Sequence, residues 1–210
     1  MQVGARHSVA TCSTTKTLRA VGAIDAPATS HGLLTVHHAL TAAQRCLAQR
    51  LAAALSDAAA AHAVRECIAG AAPFSLRMLD WLVTNYAKRR ALRVAAHGGR
   101  AVHVHEAYRA ALAQYRRRDF DPFRRTVRRY GGGDPIEMHV TAALAGGDAL
   151  QTTLGQLNFL EWAHRTGVLS YARQHAEDIE RDMQGEAAAR AAQALPRCQV
   201  YDVRCQVQIG

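Results

Sequence analysis

Seven arginines stand in the stretch "QYRRRDFDPFRRTVRRY", Gln114–Tyr130, with only Asp119 and Asp121 against them. A guanidinium is planar, stays charged, and offers five N–H donors in a fork that matches a phosphate or carboxylate edge. Arg116, Arg117, Arg118, Arg124, Arg125, Arg128 and Arg129 therefore have the chemistry of an anion-binding surface. Lys88, Arg89 and Arg90 form a second cluster upstream. Between Lys88 and Arg129 the chain carries thirteen basic residues and three acids, a net of +10, so the rest of a chain of net charge +9 sums to −1. An evenly spread excess would only aid solubility, whereas a confined one is the footprint of a polyanion-binding surface. The plainer reading is a solvated helix face, with Lys88–Arg90 balancing the negative end of a helix dipole.

Other chemistry is sparse. His103 and His105 can ligate a metal from one strand, with His97 or His139 as partners, but the chain lacks the paired Cys/His spacing of structural zinc. Asp119 and Asp121 suit a cation, or else neutralise the neighbouring arginines and shape the turn before Pro122; the second role is expected. No G-x-S-x-G, P-loop, H-E-x-x-H or G-x-G-x-x-G is present, and "YGGGDP" lacks the lysine of a phosphate cradle. No catalytic residue, metal ligand or cofactor is assigned. A metal-dependent enzyme built on the histidines and Asp119/Asp121 is a third reading, behind a nucleic-acid binder and a protein adaptor.

The elements that must position the arginines are mostly helical. A helical region is expected over about Thr35–Ile68, with "TAAQ" (Thr41–Gln44) as a capping box and Cys46, Leu47, Leu51 and Leu55 as its stripe. "PFSLRMLDWLVTNYAKRR" is the clearest amphipathic helix, with Phe74, Met78, Leu79, Leu82, Val83 and Tyr86 on one face. "AAHGGRAVHVH" signals a hairpin or a loop. A helix over about His105–Arg118 should end at Asp121-Pro122, because proline disfavours helical geometry in the residue before it. Phe120 and Phe123 flank that break and are expected to turn inward. "RYGGGDP" reads as a connector and "IEMHV" as a short strand. Two further helices follow, the first with a capping box at Thr153–Gln156 and a stop at Gly167-Val168. "YDVRCQVQI", Tyr201–Ile209, alternates as a strand.

The fold expected is thus mainly α: a compact helical domain with a few short strands, including a C-terminal strand. Residues 1–32 read as a disordered basic tail whose composition also mimics a transit peptide. The helical domain covers 33–184, a low-complexity linker, helical or disordered, 185–197, and the C-terminal strand segment 198–210. No run approaches the ~20 apolar residues of a membrane span. Five widely spaced cysteines, none in C-x-x-C, argue against a disulfide framework and for a reducing compartment.

Three blocks carry a resemblance: "DWLVTNYAK" (Asp80–Lys88), "YRAALAQYRRRDFDPFR" (Tyr108–Arg124) and "TTLGQLNFLEWAHRTGVLSY" (Thr152–Tyr171). In this order and spacing the chain resembles an uncharacterised family encoded by large double-stranded DNA viruses of algae and amoebae. The resemblance implies life inside an infected cell, with the virion or host nucleus as destinations, and supplies no catalytic residue. The chain departs from the family in its alanine and arginine richness, which a GC-rich genome would explain. The position of the charge survives that objection, because the flanking regions share the bias and sum to −1. The expected function is non-specific binding of DNA or RNA through the 88–129 surface. The alternative is an adaptor whose arginines meet an acidic virion protein, with no nucleic acid and no membrane.

Overall fold

The computed structural model describes residues 29–37, 39–123, 126–127, 136–137, 140–145 and 147–194. Strands β1 (Thr29–His31) and β2 (Leu34–Val36) form a hairpin that turns at Gly32, whose φ of +62° lies in the region glycine tolerates. Helix α1 (Ala42–Ala54) starts with the expected capping box: Thr41 Oγ1 accepts from the Gln44 N–H at 3.3 Å and Gln44 Oε1 from the Thr41 N–H at 3.2 Å. Leu47, Ala48, Leu51 and Leu55 are buried, while Cys46 faces solvent. Asp57 then caps α2 (Ala58–Ala69) by accepting from the Ala60 N–H at 2.8 Å. The single helical region expected over 35–68 is therefore a strand followed by two helices, because Asp57 supplies a second start signal inside alanine-rich sequence.

The amphipathic segment folds as expected, with Phe74, Met78, Leu79, Leu82, Val83 and Tyr86 all buried. Ser75 caps α3 (Leu76–Trp81). The helix then widens into a π turn, Leu82–Tyr86, in which the Ala87 N–H reaches the Leu82 carbonyl, before α4 (Ala87–Arg89). Gly98 and Gly99 turn the hairpin of β3 (Arg93–Ala95) and β4 (Ala101–His103). Helix α5 (Val104–Gln114) follows and stops short of the expected end at Asp121-Pro122. Tyr115 adopts extended backbone (φ −109°, ψ 148°), and its ring stacks on Phe120. A single 3-10 turn, Arg117–Asp119, follows.

"IEMHV" is divided between two sheets. β5 (Thr126–Val127) pairs with β6 (Ile136–Glu137), whereas β7 (Val140–Ala142) joins β8 (Leu150–Thr152) and the N-terminal hairpin in an antiparallel sheet of order β1-β2-β7-β8. Leu34, Val36, Val140, Ala142 and Thr152 are buried at alternate positions, which turns one face of this sheet to the core. In α6 (Leu154–Arg165) every side chain from Leu154 to Ala163 is buried, so this helix is the axis of the domain. Gly167 (φ +79°) ends it, and Val168 beyond it is buried at the start of α7 (Val168–Gln174). Helix α8 (Ala176–Ala194) runs through most of the segment expected as a linker, since alanine is the strongest helix former. Strand β1 includes Thr29–His31, inside the segment 1–32 read as a tail. The rest of that segment up to residue 28, and the strand expected over Tyr201–Ile209, lie outside the described residues. Among the described residues no helix is long and apolar enough to cross a membrane.

Candidate nucleic-acid interface

The acids and the first phenylalanine of "RDFDPF" face inward, and Arg116, Arg117 and Arg118 face out. Phe120 is 2% exposed and packs on Tyr108, Phe159 and Trp162 with ring centroids 6.0, 5.4 and 5.6 Å away. Tyr115 stacks on it at 5.8 Å. Buried Asp119 accepts from Gln44 Nε2 at 2.8 Å, with Arg118 Nε 3.7 Å from the same oxygen. Asp121 Oδ1 accepts from the Phe123 N–H at 2.9 Å and shapes the turn at Pro122. Phe123 is only half-buried, so the inward pair expected at 120 and 123 is chiefly Phe120.

The backbone of this segment is fastened to the first turns of α6. The Asp121 N–H donates to the Gly155 carbonyl at 3.2 Å, Asn158 Nδ2 to the Asp119 carbonyl at 2.8 Å, and Gln156 Nε2 to the Pro122 carbonyl at 3.1 Å. Gly155 allows this approach: an added Cβ would fall far inside contact distance of the Arg118 carbonyl oxygen. The capping box expected at Thr153 is half made. Thr153 accepts from the Gln156 N–H, but the Gln156 side chain turns to Pro122 and to the Thr152 hydroxyl. Asp119, Asp121, Gln156 and Asn158 thus each find a partner, as a low-dielectric interior demands. Arg116, Arg117 and Arg118 are therefore exposed on a rigid platform.

Sequence reasoning missed Arg50. From α1 it donates to Asn158 Oδ1 at 2.5 Å and to Glu161 Oε2 at 3.2 Å, and its guanidinium carbon lies 5.9 Å from the Tyr115 ring centroid. Arg165 meets the other oxygen of buried Glu161 at 3.2 Å. The Arg50 side chain keeps 39% of its surface exposed. It thus stands beside the root of Arg116–Arg118 as a fourth cation. No local signal marks it, because its partners are 108 and 111 residues away along the chain.

The Lys88–Arg90 cluster has a different support. Arg89 pairs with Asp182 and Glu186 of α8, and Arg90 lies 3.8 Å from Asp182. Trp81 Nε1 donates to the same Asp182 at 2.9 Å. Arg89 also lies 5.5 Å from the Trp81 ring centroid and Arg90 4.4 Å from that of Tyr86. Lys88 is exposed. One cluster is thus mounted on α1 and α6 and the other against α8. Arg124, Arg125, Arg128, Arg129 and Tyr130 lie outside the described residues.

The histidines are scattered. His97 stacks on His164 at 4.2 Å, and His105 Nδ1 lies 3.2 Å from the Val83 carbonyl, which it can only approach as a donor. Burial, and then His97, hold His164 below its ordinary pKa. His139 lies outside the described residues. Among the described residues no group of three or more His, Cys, Asp or Glu is placed to hold a metal ion.

The three sequence blocks meet in space. Tyr86 of the first packs near Tyr171 of the third at 6.5 Å, and Tyr108 of the second on Trp162 of the third at 5.9 Å. Together they define a mainly α domain whose interior is an aromatic and amide lock around one enclosed helix, with arginines on its surface. The chain belongs to the family of unknown function DUF7197, which it matches over residues 43–196. It is 33% identical over 120 residues to Uncharacterized protein L507 of Acanthamoeba polyphaga mimivirus, a match covering 55% of this chain and 44% of that protein. The chain therefore spans less than half the length of that relative, and the resemblance to an uncharacterised giant-virus family holds. No solved structure matches the chain.

Proposed function

We propose that the chain is a basic accessory protein of a large DNA virus, working in the infected cell or carried in the virion, that binds nucleic acid non-specifically. Arg116, Arg117, Arg118, Arg124, Arg125, Arg128 and Arg129 are the main contacts, with Arg50 beside them and Lys88, Arg89 and Arg90 on a second face. The observation that carries this reading is the charge: a net of +10 confined to 88–129, with Arg116–Arg118 exposed on a fastened segment whose acids point inward. Phosphate contacts release counterions, so affinity should fall steeply with salt and depend weakly on sequence. Fluorescence anisotropy with a labelled duplex of mixed sequence, across a salt series, tests it. Wild type should bind at low salt. The variant R116E/R117E, which leaves the Arg118–Asp119 contact in place, should bind far more weakly, with a shallower salt slope and an unchanged melting temperature. No binding by wild type at low salt refutes the reading; an unchanged slope in the variant puts the surface elsewhere.

A second reading is favoured by the carboxylate partners of Arg89 and Arg90. Guanidinium groups that pair with acids inside the molecule also suit an acidic protein surface, which would make the chain an adaptor in the virion. Cross-linking in virion extracts, with the 260/280 ratio before and after a high-salt wash, separates the two. An acidic protein partner with no retained nucleic acid favours the adaptor.

A further inference from the structure

We propose that α8 is an intramolecular competitor for nucleic acid, its Asp182 and Glu186 occupying the guanidinium groups of Arg89 and Arg90 as phosphates would. The inference rests on the nucleic-acid reading above and adds a regulatory contact to it. Asp178, Asp182 and Glu186 recur every four residues and so share one face of α8. Successive carboxylates stand about 6 Å apart along the axis. Arg89 bridges two of them, and Asp182 also receives Arg90 and the Trp81 indole.

Stabilisation of α8 itself does not explain the arrangement. Acids favour a helix N-terminus only within its first turn, where Glu177 and Asp178 already sit. Asp182 and Glu186 lie in later turns and are turned toward the basic cluster. The arginine side of the seam is open to solvent. Arg89, Arg90 and Glu186 have side chains 38%, 57% and 39% exposed, Asp182 keeps 16%, and a cleft of about 340 Å³ lined by Tyr86, Arg90, Asp178, Arg181 and Asp182 opens beside them. Solvated ion pairs exchange partners readily, unlike the buried lock on α6. Ile179, fully buried, anchors α8 independently of these pairs. Removing the charges should therefore free the arginines without undocking the helix.

The test uses the full-length chain and the same labelled duplex at low salt. In D182N/E186Q the new side chains keep an oxygen for the Trp81 and arginine donors but lose their charge. Affinity should rise roughly three- to thirtyfold, the range expected for releasing a few exposed pairs. The salt slope should steepen by about 0.9 for each further phosphate that the freed arginines neutralise. Adding R89A and R90A to this variant should return it to wild-type affinity. If D182N/E186Q binds as wild type does, or if its tighter binding survives loss of both arginines, α8 is no competitor, while salt-dependent binding by wild type leaves the proposed function standing. If neither protein binds the duplex, the nucleic-acid reading itself fails and takes this inference with it.

Discussion

Gly155→Ala should destabilise the protein even though alanine is the better helix former. In an open helix the exchange gains up to about 1 kcal/mol. Gly185 is such a site: nothing lies within 4 Å of an added Cβ, so Gly185→Ala should stabilise by roughly 0.5–1 kcal/mol. At Gly155 the new carbon would land on the Arg118 carbonyl oxygen, a backbone atom that cannot rotate away. Relief requires the segment from Arg118 to Pro122 to lift off α6. Overpacking of this kind costs about 1–3 kcal/mol. The segment also hangs on hydrogen bonds from the Asp121 N–H, Asn158 and Gln156, each worth about 0.5–1.5 kcal/mol net. With one or two of these broken and the helix gain subtracted, the expected loss is roughly 0.5–5 kcal/mol. Urea unfolding followed by far-ultraviolet circular dichroism measures both variants against wild type. Should Gly155→Ala match or exceed wild type while Gly185→Ala behaves as stated, the close approach is not real and Arg116–Arg118 do not sit on a rigid platform.

Two neighbouring phenylalanines should part company in the same assay. Phe120→Ala should cost about 3–5 kcal/mol as a fully enclosed ring, and half-buried Phe123→Ala less than about 2 kcal/mol; equal losses would contradict the packing described. Stability should also fall at both ends of the pH range. Burial pushes the Cys67 thiol from 9.0 up to about 12, and burial with a Tyr86 hydrogen bond pushes the Tyr171 hydroxyl from 10.0 up to about 12. The folded chain keeps protons that the unfolded chain releases, so this contribution is whole below pH 9.0 and is lost as pH rises toward 12. For His164, held below its ordinary 6.5 by burial and by His97, the unfolded chain takes up the proton first, so stability declines as pH falls below 6.5. Melting temperatures that stay level above pH 9.0 would contradict the alkaline part of this account.

Local patterning revealed what local forces decide. The face Phe74–Tyr86 reads directly from its three- and four-residue spacing, and Thr41 and Gln44 announce α1 by their side-chain chemistry. The π turn at Leu82–Tyr86 leaves no mark on that spacing, because it changes which carbonyl each N–H meets and keeps the same residues inside. Tertiary partners decided the rest. Tyr115 leaves the helix for Phe120, and the Gln156 side chain leaves its own cap for the Pro122 carbonyl. The sheet joins Leu34 to Ala142, a pairing that no window of sequence contains. At the candidate site the exposure of Arg116–Arg118 followed from their number and charge. Arg50 and the acids of α8 did not, since each acquires its meaning from a distant partner.

The pairing of β2 with β7 also sets an order of assembly. Strand β2 leaves the ribosome well before its neighbour on one side, which is made only when Val140–Ala142 emerge. Contacts so far apart in sequence form late, while local helices form as they are made. The arginine segment is synthesised before α6, which gives it its platform, and before α8, whose Asp182 and Glu186 meet Arg89. For that interval Arg116–Arg118 lack the hydrogen-bonded backing of α6 and Arg89 lacks its carboxylates. Arg118 has Asp119 as its next residue, whereas Arg89 gains its internal carboxylates only once translation has passed Glu186.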